Sequence, residues 1–221
     1  MHRIVENLLK INEKVKRKFE STSHLTNLPK IIAVSKTFKI EHIKPLIDYG
    51  HDHYGENKVQ EAQEKWTSVK EKNKNIKLHL IGRLQSNKVK LALKLFDYIH
   101  SLDSKKLADI FSKCEAVSGK NLKYFIQVNI GAEEQKSGIS ISEVEQFYDY
   151  CKKEKKLNIL GLMAIPPNDH KTREYFKTLN ELNLSLGLKE LSMGMSSDYE
   201  EAVKQNATFV RIGSSIFGQR S

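Results

Sequence analysis

The feature that most constrains the fold is an alternation of short apolar runs with longer amphipathic stretches, which continues from residue 31 almost to the C-terminus. The runs are rich in β-branched and aromatic residues, as buried parallel strands are. There are eight of them: 31–35, 53–55, 78–82, 97–101, 124–130, 159–164, 190–195 and 209–213. Eight is the number at which a parallel sheet of strand–helix units closes into a barrel. The sequence therefore predicts an α/β fold, a single (β/α)8 TIM barrel.

The amphipathic stretches predict the helices that connect these strands. They cover residues 58–72, 87–96, 105–118, 142–155, 171–186 and 197–205. Ser104 and Ser142 stand just before two of these stretches, where the hydroxyl of a capping serine can accept from a free backbone N–H. An open doubly wound sheet is less consistent with the sequence, because it would fit fewer strands and usually has a glycine-rich first turn.

An extra helix is predicted ahead of the first strand. Four apolar residues recur there at helical spacing: Ile4, Leu8, Ile11 and Val15. The pattern fades near Phe19, before the polar stretch 21–24. No linker or change of composition interrupts the chain, so residues 1–221 are predicted to form one domain.

The charge of the chain raises the question of nucleic acid, because 37 Lys and Arg against 27 Asp and Glu give a net charge of +10. The excess is mostly lysine, scattered in pairs among apolar residues, which is typical of solvated helix faces. Without an Arg-rich tail or interleaved aromatic residues, we expect no sequence-specific nucleic-acid binding. No apolar run approaches the roughly 20 residues that span a bilayer, and the N-terminus lacks a signal-peptide core. We expect a cytoplasmic protein with no membrane partner.

Lys36 is the first candidate for chemistry, because it directly follows the most apolar run, 31–35. In a barrel the functional site lies at the C-terminal ends of the strands. A lysine that loses hydration there becomes a neutral amine more readily, and Schiff-base formation requires the neutral amine. The alternative is an ordinary lysine that faces solvent.

Two turns after the last two predicted strands have the composition of phosphate-binding loops. The first contains Ser196, Ser197 and Asp198, and the second contains Gly213 and Ser214. Loops after the final strands of a barrel often bind phosphate through free backbone N–H groups, where glycine allows close approach and serine adds a hydroxyl. The alternative is ordinary helix capping by serine.

Arg211 lies two residues before Gly213 and so points to the same side of the last strand. A cation inside a barrel needs a specific partner, because burying it alone is costly. That partner is either a ligand or a carboxylate from another strand.

His51 and His53 form an HxH pair that could begin a zinc site, with His79 and His100 as further candidates. No third ligand has a compelling position, so we predict no metal and interpret these residues as histidines of the barrel rim or interior. Cysteine–histidine catalysis is not expected either, since neither Cys114 nor Cys151 follows a predicted strand.

Seven motifs occur in an order that identifies a family. They are AVSKT (33–37), YGENKVQEA (54–62), HLIGRLQSNK (79–88), QVNIG (127–131), GLMAI (161–165), LSMGMSSD (191–198) and VRIGSSIFGQR (210–220). Over nearly its whole length the chain resembles the pyridoxal phosphate homeostasis protein family. The resemblance implies the fold of the alanine racemase N-terminal domain, which is that of fold type III pyridoxal-phosphate proteins, and pyridoxal 5′-phosphate (PLP) as the cofactor.

The resemblance also assigns roles to six residues of this chain. Lys36 matches the Schiff-base lysine, Asn57 an asparagine near the cofactor, and Arg211 the arginine that faces the pyridine nitrogen. The phosphate-binding turns are matched by Ser196, Gly213 and Ser214. Arg83 stands at a position of its motif that varies in the family.

The implied role is binding of PLP for vitamin B6 homeostasis and delivery to PLP-dependent client enzymes, without established catalysis. We expect the protein to be a monomer. An arginine beside the pyridine nitrogen disfavours its protonation and so weakens carbanion chemistry. Racemase catalysis also needs a tyrosine base from a second domain, for which we expect no room in a 221-residue barrel. The alternatives are a PLP-dependent racemase of low activity, another Schiff-base enzyme, or a nucleic-acid-binding protein whose binding would depend steeply on salt.

Overall fold

Eight parallel strands form a closed barrel in the computed structural model, which describes residues 1–22, 27–133 and 135–219. The strands are β1 (Lys30–Val34), β2 (His53–Glu56), β3 (Lys77–Leu80), β4 (Tyr98–Leu102), β5 (Lys123–Val128), β6 (Ile159–Ala164), β7 (Glu190–Ser192) and β8 (Phe209–Ile212). Each strand pairs with the next along the chain, and β8 pairs with β1 through the register Ile32–Arg211. The predicted (β/α)8 barrel is confirmed.

Nine helices lie in the described ranges. They are α1 (Arg3–Thr22), α2 (Ile40–Tyr49), α3 (Val59–Lys72), α4 (Val89–Leu95), α5 (Lys105–Ser118), α6 (Val144–Asp149), α7 (Thr172–Ser185), α8 (Tyr199–Lys204) and α9 (Ser214–Phe217). Short 3₁₀ turns precede α4 and α6, and a π-helical turn (Tyr150–Glu154) follows α6. None of these helices combines the length and the apolar composition that crossing a bilayer needs.

Two groups of buried residues stabilise the barrel. The larger one fills the space between the strands and the surrounding helices and includes the fully buried Trp66 and Tyr54. The smaller one lies inside the barrel and contains Ile32, Tyr98, Phe125, Met163 and Phe209. The barrel interior also holds buried polar side chains, among them three histidines and Arg211, which is a sign of function because buried polar groups need partners.

The predicted N-terminal helix is present and its apolar face is buried at Ile4, Leu8, Ile11 and Val15. The helix ends at Thr22, three residues beyond the predicted end at Phe19. It continues because the hydroxyls of Ser21 and Thr22 donate to the carbonyl oxygen of Lys18, at 2.9 and 2.6 Å. Residues 23 and 24 of the predicted polar stretch lie outside the described residues.

The seventh strand is shorter than predicted and ends at Ser192 rather than Met195. Gly194 has a φ of +88°, which turns the chain out of the sheet. A Cβ atom at Gly194 would lie 2.6 Å from the Cβ of Ala202, so only glycine fits this turn. The fifth strand likewise ends at Val128 rather than Ile130, because the Asn129 side chain bonds to the backbone N–H and carbonyl of Glu133.

Two predictions about helices need correction. The Ser104 hydroxyl caps α5 by accepting from Leu107 N at 3.4 Å, as predicted, but Ser142 caps no helix. Residues 141–143 form a 3₁₀ turn there, in which the Ser140 hydroxyl donates to Glu143. The predicted helices also lack the segment that forms α2, a helix that contains Pro45 in its interior.

Candidate functional site

A cavity of about 660 Å³ opens at the C-terminal ends of β1, β2, β3, β6, β7 and β8. We call it the rim cavity. It is lined by all six residues that the sequence analysis singled out: Lys36, Asn57, Ser196, Arg211, Gly213 and Ser214. The apolar lining comes mainly from Val34, Phe38, Ile81, Ile165 and Met195. The structure thus brings together residues up to 178 positions apart (36 and 214), while their role as ligands stays a prediction.

Lys36 is held in a tight turn directly after β1. The next residue, Thr37, has a φ of +70°, which is unusual for a β-branched residue and is maintained only where the surroundings enforce it. Thr37 N donates to Glu61 Oε1 at 2.5 Å, which fixes the turn against α3. Burial raises the pKa of Glu61, but the bonds from Thr37 and Lys65 outweigh it, so the net pKa is lowered. The carboxylate that anchors the turn is therefore ionised.

Behind this turn lies a buried group of polar residues that sequence reasoning missed. Glu56 Oε1 accepts from Ser35 Oγ at 2.7 Å, from Trp66 Nε1 at 2.8 Å and from Lys65 Nζ at 2.9 Å. Lys65 Nζ also donates to the Ser35 carbonyl oxygen at 2.9 Å. The sequence signal was a glutamate directly after the predicted run 53–55. This ion pair ties the end of β1, and with it Lys36, to β2 and α3.

Asn57 projects into the rim cavity with an acceptor that the described protein does not use. Its Oδ1 atom is buried and has no hydrogen-bond partner among the described residues. Gly82 packs against the backbone of Asn57, and a Cβ there would lie 2.4 Å from the Asn57 carbonyl oxygen. A buried polar atom without a partner is uncommon in proteins and is consistent with a position that a ligand completes.

The two serine-bearing turns lie side by side at one end of the cavity. Ser215 N is 3.4 Å from Ser196 Oγ, a contact that joins the turn after β7 to the turn after β8. Helix α9 begins at Ser214, directly after Gly213. Ser197 and Ser214 are exposed, so this end of the cavity faces solvent.

Arg211 crosses the floor of the cavity and is 4% exposed. Its NH1 group donates to Ser192 O and Ser192 Oγ, both at 2.7 Å, and its NH2 group donates to Ala164 O at 2.9 Å. Burial lowers the pKa of Arg211 to about 10, which the nearby Asp198 carboxylate partly opposes. All three acceptors are neutral oxygens. Among the described residues, Arg211 therefore forms no ion pair with a carboxylate from another strand, which was the alternative.

The histidines do not converge on a metal position. His51 Nε2 donates to the His53 carbonyl oxygen at 2.9 Å, whereas His53, His79 and His100 bond to one another inside the barrel. Across the described ranges, no group of three or more His, Cys, Asp or Glu is arranged to hold a metal ion. His53, His79 and His100 lie inside the barrel, and His51 lies in the loop before β2.

A second depression of about 1140 Å³ adjoins the rim cavity and shares Asn57 with it. Five cationic residues line it: Lys58, Arg83, Lys88, Lys106 and Lys136. Asp103 is the acidic residue of its described lining. Burial raises the pKa of Asp103, and Arg83 opposes that shift. Part of the net positive charge is therefore concentrated beside the rim cavity.

Comparison with known proteins gives a consistent result. The family described as "Alanine racemase, N-terminal domain" matches residues 12–221. The pyridoxal phosphate homeostasis protein of Aquifex aeolicus is 37% identical, over 97% of each chain.

Solved structures show the same likeness. PipY of Synechococcus elongatus, solved with PLP bound, is 31% identical with a TM-score of 0.83, covering 97% of this chain and 100% of PipY. Alanine racemase from Corynebacterium glutamicum shares the fold, with a TM-score of 0.71 at 15% identity, covering 99% of this chain and 61% of the racemase.

Proposed function

The chain belongs to the pyridoxal phosphate homeostasis protein family, with the fold of the alanine racemase N-terminal domain, and we propose that it binds PLP in the rim cavity as a Schiff base with Lys36. The observation that carries the proposal is the lining of that cavity. It joins one lysine, one buried arginine, one unpartnered amide oxygen and two serine-bearing turns. PipY, a relative solved with PLP bound, shares the fold over nearly the whole chain.

The residues present fit the cofactor. PLP supplies an aldehyde that condenses with a lysine amine, with loss of water. The Lys36 amine would provide that nitrogen, held by the strained turn at Thr37. The backbone N–H groups and hydroxyls of Ser196 and Ser214 would donate to the phosphate, where Gly213 allows the chain to come close. The unpartnered Asn57 amide would gain a partner on the ring, its O and N being interchangeable by a flip of the side chain.

Arg211 would face the ring nitrogen. A guanidinium has five N–H donors, and the described protein oxygens take three of them. A positive charge at this position disfavours protonation of the ring nitrogen, because two like charges would meet. The ring then withdraws electrons less strongly, which suits holding the cofactor better than forming carbanions on it.

We further propose that the protein is a PLP carrier and not a racemase. Racemisation needs one group to remove a proton from one face of the substrate and a second group to return a proton to the other face. The described residues that line the rim cavity include no aspartate, glutamate, histidine, tyrosine or cysteine. The lining therefore supplies no second residue of these kinds to exchange a proton with a bound substrate.

Exchange with PLP-dependent client enzymes is supported by the position of the phosphate end. Ser197, Ser214 and Gly218 are exposed where they line the cavity, so the charged end of the cofactor would lie at the surface. A cofactor whose phosphate is accessible can be released without unfolding the barrel. This is the property that homeostasis and delivery require.

The test is a titration of the protein with PLP, followed by its visible absorption spectrum before and after borohydride. We expect a Schiff-base band in the wild type that borohydride removes, and no such band in Lys36→Ala. Lys39→Ala, a nearby exposed lysine outside the cavity, is the matched control and should behave as wild type. The absence of a band in the wild type would overturn the proposal. Transfer is tested by adding a PLP-dependent apoenzyme to the loaded protein and measuring its recovery of activity.

A further inference from the structure

Three histidines on adjacent strands form one continuous chain of hydrogen bonds inside the barrel. His53 Nδ1 lies 2.8 Å from His79 Nε2, and His79 Nδ1 lies 2.9 Å from His100 Nε2. His100 Nδ1 then lies 2.8 Å from Ser192 Oγ on β7. His79 and His100 are fully buried, and His53 is 8% exposed at the outer end.

The inner end of this chain meets Arg211. Ser192 Oγ is 2.7 Å from Arg211 NH1, so one serine hydroxyl connects the histidines to the guanidinium that forms the floor of the rim cavity. The inference drawn here therefore rests on the proposed function of that cavity.

The surroundings keep the histidines neutral. The Tyr98 ring stacks on His79 with centroids 4.2 Å apart, and the Phe125 ring stacks on His100 at 4.4 Å. Burial lowers the pKa of His79 and His100 well below the usual range, and neighbouring histidines or Arg211 add to the effect.

His53, at the outer end of the hydrogen-bonded histidines, is neutral as well. Burial lowers the pKa of His53 to about 4, partly opposed by Asp52. The cations that face this end of the barrel are Lys30, Lys77 and Lys123. Lys30 and Lys77 lower the pKa of His53 further, and Lys30 and Lys123 lower the pKa of His79.

A neutral imidazole has one N–H and one acceptor nitrogen. The hydrogen bonds between the three histidines can therefore all be donated in only one of two directions. In the first, the Ser192 hydroxyl donates to His100 and each histidine donates from Nε2 to the next Nδ1. The last proton, on His53 Nε2, then points toward the Asp52 carboxylate 3.9 Å away. Every donor in this direction has an acceptor or a nearby negative charge.

The second direction leaves two groups poorly placed. Ser192 Oγ would accept from both His100 and Arg211, and its own proton would find no other acceptor among the described residues. The lone pair of His53 Nε2 would face the Asp52 carboxylate. An unsatisfied buried donor costs roughly 1–3 kcal/mol, so the first direction is favoured.

We propose that His53, His79 and His100 are positioning residues for the cofactor site, all held as Nε2–H tautomers, which fix the Ser192 hydroxyl and thereby the Arg211 guanidinium. In this arrangement the serine proton points away from Arg211 and its lone pairs face the guanidinium. The buried cation is thus stabilised by three neutral oxygens instead of a carboxylate, and its position in the lining of the rim cavity is fixed.

The first test needs no cofactor. Long-range ¹⁵N–¹H NMR of the PLP-free protein at pH 7 reports the tautomer of each histidine, and the guanidinium signals of Arg211 report its restricted rotation. We expect three Nε2–H tautomers and resolved Arg211 NH1 and NH2 protons. Nδ1–H tautomers, or charged rings at these positions, would overturn the proposal whether or not the protein binds PLP.

The second test uses Ser192→Ala. We expect altered His100 ring-nitrogen shifts, averaged Arg211 guanidinium signals, and a PLP dissociation constant raised about tenfold, as loss of one hydrogen bond to a charged group gives. Ser192→Thr keeps the hydroxyl and should restore all three readouts. Ser101→Ala is the matched control, because Ser101 is also buried beside His100 but its Oγ has no partner among the described residues.

The outcomes separate the two proposals. If wild type fails to bind PLP, the proposed function fails, and the NMR signals alone decide the positioning role. If PLP binds but Ser192→Ala leaves the His100 shifts, the Arg211 signals and the dissociation constant at wild-type values, the positioning role is wrong.

Discussion

Replacing Glu56 by glutamine should destabilise the protein strongly, because it removes one half of a buried ion pair. Glu56 has no exposed side-chain surface, and the Lys65 side chain is 8% exposed. Breaking such a pair on one side usually costs about 3–5 kcal/mol, since the remaining charge stays buried. Lys65 keeps its bond to Glu61 Oε1 at 3.1 Å, so we expect the lower end, about 3 kcal/mol. With a urea m-value near 3 kcal/mol/M, the unfolding midpoint should fall by about 1 M.

The assay is urea unfolding followed by circular dichroism, with a double-mutant cycle of Glu56→Gln and Lys65→Met. We expect a coupling free energy of at least about 2 kcal/mol, because the two residues touch. Asp149→Asn is the control, since its pair with Lys153 is exposed to solvent and should contribute little to stability. A Glu56→Gln midpoint within about 0.2 M of wild type, or a coupling near zero, would refute the assigned role of the pair.

Three further predictions concern the site and the core. Gly82→Ala should weaken PLP binding and destabilise the fold by about 1–3 kcal/mol, because its Cβ would lie 2.4 Å from the Asn57 carbonyl oxygen; a fluorescence titration with PLP that matches wild type would contradict this. Asn183→Ala should cost about 2–3 kcal/mol in urea unfolding, because the buried side chain bonds the Leu162 N–H and the Leu188 carbonyl; a cost below about 0.5 kcal/mol would show that these groups find other partners. Stability should fall as the pH drops below about 6.5, since burial holds the pKa of His79 and His100 far below that of the unfolded chain, which takes up protons first. The loss is up to about 1.4 kcal/mol per histidine per pH unit, and unfolding free energies that stay constant from pH 7.5 to 5.5 would contradict it.

The barrel could be predicted from the sequence because each buried strand is a short apolar run and each helix has one apolar face. The errors lie where local chemistry overrides that pattern. Gly194 ends β7 early through a positive φ, and Asn129 ends β5 through its side-chain bonds to Glu133. Helix α2 forms despite Pro45, since Ile43 and Leu46 are fully buried against the barrel.

The lining of the rim cavity was predictable because strand ends in a barrel meet at one face. Lys36 and Arg211 could be found from their positions relative to the apolar runs alone. The supporting contacts could not, because they join residues whose spacing carries no signal. Glu56 and Lys65 meet across β2 and α3, and His100 meets Ser192 across the barrel, 92 residues away in sequence.

The central claim, that Lys36 holds the cofactor, is tested most directly by locating the label. The PLP-loaded protein is reduced with borohydride, digested, and its peptides are mapped by mass spectrometry. The account predicts one phosphopyridoxyl group per chain, on the peptide that contains Lys36. A label spread over exposed lysines, or placed on a lysine of the adjoining basic depression, would contradict it.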